Sequence, residues 1–138
     1  MLYFKLLGME INLNCDLGEK SKHHSNENDP KLLKIVNSAN VACGYHAGDE
    51  QTMQEVVKIS KENNVSIGAH PSFKDPENFG RKRMDLSASE ITKLVTDQYE
   101  ILQNIASLQG EKVSHIKPHG ALNNMACEDL ELATTLAK

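Results

Sequence analysis

The chain has 138 residues, 39% of them hydrophobic and 25% charged, with 4% aromatics, no Trp and a net charge of -4 at pH 7. That length suits one domain, able to bury roughly two thirds of its unfolded surface around an aliphatic core. The acidic balance argues against an electrostatic grip on nucleic acid or an anionic membrane, and no apolar run approaches the ~18 residues of a spanning helix, which leaves a small-molecule partner.

The opening "MLYFKLLG" at 1–8 is apolar but lacks a small-residue cleavage site, so it reads as an N-terminal extension ahead of Met9 and not as a signal peptide. "MEINLN" at 9–14 is the first predicted strand. A polar loop, "GEKSKHHSNENDP" at 18–30, follows; its His23 and His24 read as solvated, a pair able to take up stray divalent metal. Pro30 suits the first turn of a helix, where its missing N–H costs nothing. "ANVAC" at 39–43 is the second strand, and Asp49 caps a second helix with Met53, Val56, Val57 and Ile59 toward one side. "VSIGA" at 65–69 is the third strand. A third helix starts at the capping box Ser87/Glu90 and carries Ile91, Leu94, Val95, Leu102, Ile105 and Leu108 at helical spacing until Gly110 ends it. "KVSHIK" at 112–117 is the fourth strand, and a fourth helix is expected from near Glu128 to Lys138. Strands alternating with helices predict an α/β fold with a parallel sheet.

Parallel α/β folds put their chemistry at the carboxyl ends of strands. The loops there carry Asn14, Asp16 and Glu19, then Cys43, His46 and Asp49, then His70, Arg81 and Arg83, then Lys117 and His119. The opposite loops, around "NNV" and "GEK", offer nothing comparable. Four successive strand ends delivering titratable groups to one rim predict a shared site. Cys15 and Cys43 read as small hydrophobic wall residues. With Cys127 they make an odd count without a CxxC pair, which fits reduced thiols in a cytoplasm.

Five stretches, "NLNCDLGE" at 12–19, "SANVACGYHAGD" at 38–49, "IGAHPSF" at 67–73, "FGRKRM" at 79–84 and "HIKPHGAL" at 115–122, together resemble the LamB/YcsF family, the A subunit of bacterial 5-oxoprolinase. The resemblance implies ATP-dependent opening of 5-oxoproline to glutamate with separate B and C subunits, on a distorted (β/α) barrel of the glycoside hydrolase/deacetylase type. Two departures stand out: Asn123 where the family usually has Tyr, and "EKSKHH" after Gly18 in place of "ESFG". A closed barrel takes roughly 200 to 250 residues, so residues 9–138 are expected to form a partial barrel, the first four βα units of a truncated protein. Two unpaired sheet edges and an apolar inner face are expected to make it self-associate.

Opening a lactam requires help at the carbonyl oxygen and at the nitrogen. Asp16 is the expected base or orienter, His46, His70 and His119 the proton carriers, and Lys117 the cation that meets developing negative charge. Arg81 is expected to hold a carboxylate or phosphate, with Asn14 and Asn40 as hydrogen-bonding substrate contacts. ATP with Mg is expected to act through the complex, since no GxxxxGK[ST] loop is present. Whether the chain itself holds a metal stays open: a carboxylate with two or three histidines also suffices for a metal-dependent hydrolase or deacetylase, although no HExxH spacing occurs. A third reading is an inactive fragment that only binds a partner.

Overall fold

Strand β1 (Asn14–Leu17) sends Cys15 and Leu17 toward the core and leaves Asn14 and Asp16 on the other face, as a period of two requires. The computed structural model describes residues 11–22 and 24–138. Among them, β1 is followed by α1 (Asp29–Leu32), β2 (Ser38–Ala42), α2 (Glu50–Glu62), β3 (Ser66–His70), α3 (Ala88–Leu108), β4 (Val113–Ile116), α4 (Gly120–Glu128) and α5 (Leu130–Leu136). The strands form one parallel sheet in the order β1-β2-β3-β4, the α/β arrangement anticipated.

Helices α2 and α3 pack on one face of this sheet. Ala39, Val41, Ile67, Ala69 and Val113 meet Met53, Val56, Val57, Leu102, Ile105 and Ala106 there in the main core. Asp49 caps α2 by accepting from Thr52 N at 2.7 Å, and Ser87 and Glu90 cap α3 reciprocally. No helix among the described residues is long and apolar enough to cross a membrane.

Three expectations need correction. The first strand was expected at 9–14; residues 9 and 10 lie outside the described residues, 11–13 are not strand, and pairing starts at Asn14 opposite Ser38. Leu13 accepts from Asn37 N and Ser38 N and donates to the Asn37 side-chain oxygen at 3.0 Å, so the ladder begins at Asn14 and both Asn14 and Asp16 sit within it. The last helix was expected from near Glu128. Helix instead begins at Gly120, and extended Asp129 separates α4 from α5, its side chain accepting from Glu131 N and Leu132 N.

The third correction concerns the face of the sheet away from the helices. It was expected to be apolar, yet Asn12, Asn14, Ser38, Asn40, Ser66, Ser114, His115 and Lys117 line a hollow of about 430 Å³ there. The aliphatic positions of each strand are used on the helix side, and the alternate positions carry hydrogen-bonding groups.

Candidate active site at the carboxyl ends of the strands

His70 is the last residue of β3, His46 lies in the loop after β2, His119 is the N-cap residue of α4 just beyond β4, and Glu19 follows β1. The three imidazoles are buried. His46 stacks on His119 with centroids 3.8 Å apart, and His70 meets both edge-on. Glu19 Oε1 lies 2.9 Å from His46 Nε2, 3.3 Å from His119 Nδ1 and 3.6 Å from His70 Nε2. One ligand atom from each of the four residues lies within 4.8 Å of all the others.

Backbone carbonyls fix two of the rings. His70 donates from Nδ1 to the carbonyl of Lys117, and His119 donates from Nε2 to the carbonyl of Phe79 at 2.9 Å. A carbonyl only accepts, so the remaining nitrogens, His70 Nε2 and His119 Nδ1, turn lone pairs toward each other across 3.0 Å when both rings are neutral. Burial holds both imidazoles below their ordinary pKa. Burial works to raise Glu19, but the hydrogen bond to His46 and the nearby imidazoles outweigh it and hold the carboxyl below the usual range.

A second array lies alongside. Lys117 Nζ donates to both oxygens of Asp16 at 2.7 Å, and Asn40 Nδ2 donates to Asp16 Oδ1 at 2.9 Å. Asp16 Oδ2 is 3.5 Å from His70 Nε2. Burial would raise the Asp16 pKa; Lys117, His70 and Asn40 together lower it. Register explains the support behind it: Asp16, Asn40, Gly68 and His115 are successive partners across the four strands. His115 reaches over Gly68 to place Nε2 2.8 Å from Asn40 Oδ1, where a Cβ at position 68 would lie 2.1 Å from that nitrogen.

The segment after β3 closes over the imidazoles. Phe79 adopts a left-handed backbone, φ 55, and presents its carbonyl to His119. Gly80, φ 65, leaves no room for a side chain, since a Cβ would lie 2.1 Å from Ser72 Oγ and 2.9 Å from His46 Cβ. Asp75 holds this turn by accepting from Asn78 Nδ2 at 2.7 Å and from Lys82 N at 3.2 Å.

The structure therefore brings Asp16, His46, His70, Lys117 and His119 together at one end of the sheet. Asn40 and Asn14 are turned to orientation: Asn40, 1% exposed, bonds Asp16, His115 and the side-chain oxygen of Asn14. Arg81 sits one layer out, its guanidinium carbon 5.6 Å from the Phe79 ring centroid, while Arg83 pairs with Glu128. Cys43 is buried and its thiol is pushed up to about 12 by that burial, unlike a nucleophilic thiolate. Sequence reasoning placed Glu19 on the rim without giving it a role, and it missed His115, Gln98 and the Phe79 carbonyl. Glu19 had a readable signal in its position after the first strand; the other contacts depend on folding.

The donor set bears on the expected cofactors. Three imidazole nitrogens and a carboxylate match a borderline transition-metal ion, whereas Mg²⁺ favours oxygen ligands, so this cluster is not the place for the Mg of MgATP.

The LamB/YcsF family model matches residues 11–138. The A subunits of 5-oxoprolinase from Staphylococcus carnosus (strain TM300) and Staphylococcus aureus (strain MW2) are each 45% identical over 130 residues, covering 94% of this chain and 52% of theirs. The crystal structure of the lactam utilization protein from Thermus thermophilus is 39% identical and superimposes with a TM-score of 0.87, over 94% of this chain and 52% of that one. The chain spans about half the length of the curated relatives it matches. With a family match over nearly all of its length, and the five motifs now seen to wall and support one site, the chain belongs to the LamB/YcsF family.

Proposed function

We propose that this chain supplies the carboxylate and imidazole part of a site that opens the lactam of 5-oxoproline to glutamate, as the A component of an enzyme working with B and C subunits and ATP in the cytoplasm. The convergence of Asp16, Lys117 and three buried imidazoles at the strand ends carries the reading, together with relatives at 45% identity that are named as A subunits of 5-oxoprolinase. The B and C subunits, ATP and the site that binds it come from the family resemblance.

In this reading the lactam oxygen takes the γ-phosphoryl group of ATP, releasing ADP. Water adds to the carbon, the C–N bond breaks as the ring nitrogen is protonated, and a second water hydrolyses the remaining acyl phosphate to glutamate and phosphate. Asp16 orients the attacking water, with its charge held by Lys117; Lys117 also faces the charge developing on the phosphorylated oxygen. His70 and His119 exchange the protons, each with one nitrogen free of the backbone. The second reading, a metal-dependent hydrolase, draws on the clustering of Glu19 with the three histidines.

Glutamate release from 5-oxoproline tests the assignment. Release is expected only with ATP and the B and C subunits of a relative, and Asp16→Asn should lower kcat at least about 100-fold. Release without those subunits refutes the need for partners. No release in their presence refutes the lactam assignment, and chelator-sensitive amide hydrolysis without ATP establishes the second reading.

A further inference from the structure

We infer that Glu19, His46, His70 and His119 form a site for one divalent transition-metal ion of the zinc or cobalt type. The inference is argued from ligand geometry and replaces one part of the lactam reading: an ion held by His70 Nε2 and His119 Nδ1 takes the two nitrogens given there to proton exchange, while Asp16 and Lys117 keep their roles. Imidazole nitrogens and carboxylate oxygens bind such ions at about 2.0–2.2 Å, so two atoms on one ion stand roughly 3.0–3.5 Å apart. The contacts of Glu19 Oε1 with the three rings, 2.9, 3.3 and 3.6 Å, and that between His70 Nε2 and His119 Nδ1, 3.0 Å, lie in or within about 0.1 Å of this interval, while the four atoms as a set fall within 4.8 Å, so the cluster draws together on binding.

The surroundings are those of metal-bound histidines, whose second nitrogen ordinarily donates to a carbonyl or carboxylate. The Lys117 and Phe79 carbonyls take those protons from His70 and His119, and so aim both lone pairs at one point. No proton lies between these nitrogens in the neutral rings, so a cation bound between them would relieve the two facing lone pairs. His46 departs from that pattern: its Nδ1 is buried without a hydrogen-bond partner among the described residues and its Nε2 donates to Glu19 Oε1 at 2.9 Å, so an ion binding at Nε2 displaces that proton to Nδ1 or to solvent. The Asp16–Lys117 pair stands beside the cluster: its Asp16 Oδ2 is 3.5 Å from His70 Nε2.

The test uses the full 138-residue chain, stripped with EDTA and titrated with Zn²⁺ and Co²⁺. One equivalent of either metal should bind, Zn²⁺ should raise the Tm, and the Co²⁺ form should show visible d–d absorption. X-ray absorption of the Zn²⁺ form should show imidazole scattering from three histidines. Glu19→Gln and His119→Asn should each weaken binding at least about 100-fold, with folding checked by circular dichroism. The double variant His23→Ala/His24→Ala should bind as the parent does. No binding to the parent chain, fewer than three imidazoles in the absorption spectrum, or binding lost in the His23/His24 variant would overturn the proposal. The spectra report on the parent chain even if a cluster variant fails to fold. Because the readout is metal occupancy, lack of lactam turnover leaves this result standing, and lack of metal leaves the lactam reading standing.

Discussion

His70 and His119 each spend one ring nitrogen on a backbone carbonyl, and burial keeps both rings neutral. Their folded pKa values are depressed, that of His70 to about 4 from an ordinary 6.5. Between those values the unfolded chain binds more protons than the folded one, so the stability these rings contribute is complete above pH 6.5 and is lost as the pH falls toward 4. Asp16 and Glu19, also depressed, act in the same direction at lower pH. With EDTA present, the Tm should fall steadily from pH 6.5 to 4, and His70→Gln should flatten that slope; a Tm independent of pH across the window would refute neutral burial of the rings. Cys43 lies beside these groups, but burial keeps its thiol protonated. Cys43→Ala should therefore leave turnover in the proposed assembly with B and C subunits within about twofold, because no thiolate is present to lose. Loss of turnover with circular dichroism unchanged would establish a cysteine nucleophile instead. Rim placement of the histidines was legible in the sequence, since each follows a strand. Their tautomers were not, because the carbonyls that set them belong to residues 40 and 47 positions away.

At the level of elements, the site depends on one helix and one bare strand position. Gln98 of α3 is fully buried and grips the backbone of Ser72, accepting from its N–H at 3.0 Å and donating to its carbonyl at 2.9 Å. This fixes the chain two residues past His70. Gln98→Leu keeps similar bulk but strands both backbone groups, so the urea midpoint should drop by an amount equal to about 1–3 kcal/mol; an unchanged midpoint would show that the pair contributes nothing. Gly68→Ala should displace His115 from Asn40, cost about 1–3 kcal/mol through overpacking, and free Asp16 from one of its supports. A chemical shift of His115 unchanged from the parent would refute that contact. The Asp49 cap of α2, the capping box of α3 and the helical stripes of both were legible because those signals are local. The start of β1 was not: Ile11 and Leu13 continue the alternating pattern, yet they stay exposed and only pairing with Ser38 sets where the strand begins. In the same way "KPHGAL" reads as a turn, but Ala121 N donates to Gly80 O at 3.0 Å and the helix starts there at once.

For the whole molecule, the parallel α/β class followed from the order of local patterns, while the character of the open sheet face did not. The strands are short and rich in Ser and Asn at alternate positions, and only the register shows that these align into one polar surface. Self-association through an apolar inner face therefore loses its basis, and the edges become the sticky element. Among the described residues β1 and β4 each pair with one strand only, so each has a side open to a further strand, although Val113 N already donates to Gln103 Oε1 at 2.9 Å. Beside the β4 edge, Val95, Tyr99, Ile116 and Leu136 line a mainly apolar groove of about 220 Å³, and Ile116 is 44% exposed. The chain should associate through this edge. Light scattering after size exclusion is expected to show species larger than 15.3 kDa, and Ile116→Lys should shift the population toward monomer, because a charge on an edge opposes strand addition. High salt should not dissolve the assembly, since backbone pairing and apolar contact are little screened. A parent chain that stays monomeric at every concentration would refute the edge argument, and assembly dispersed by salt alone would assign it to surface charge.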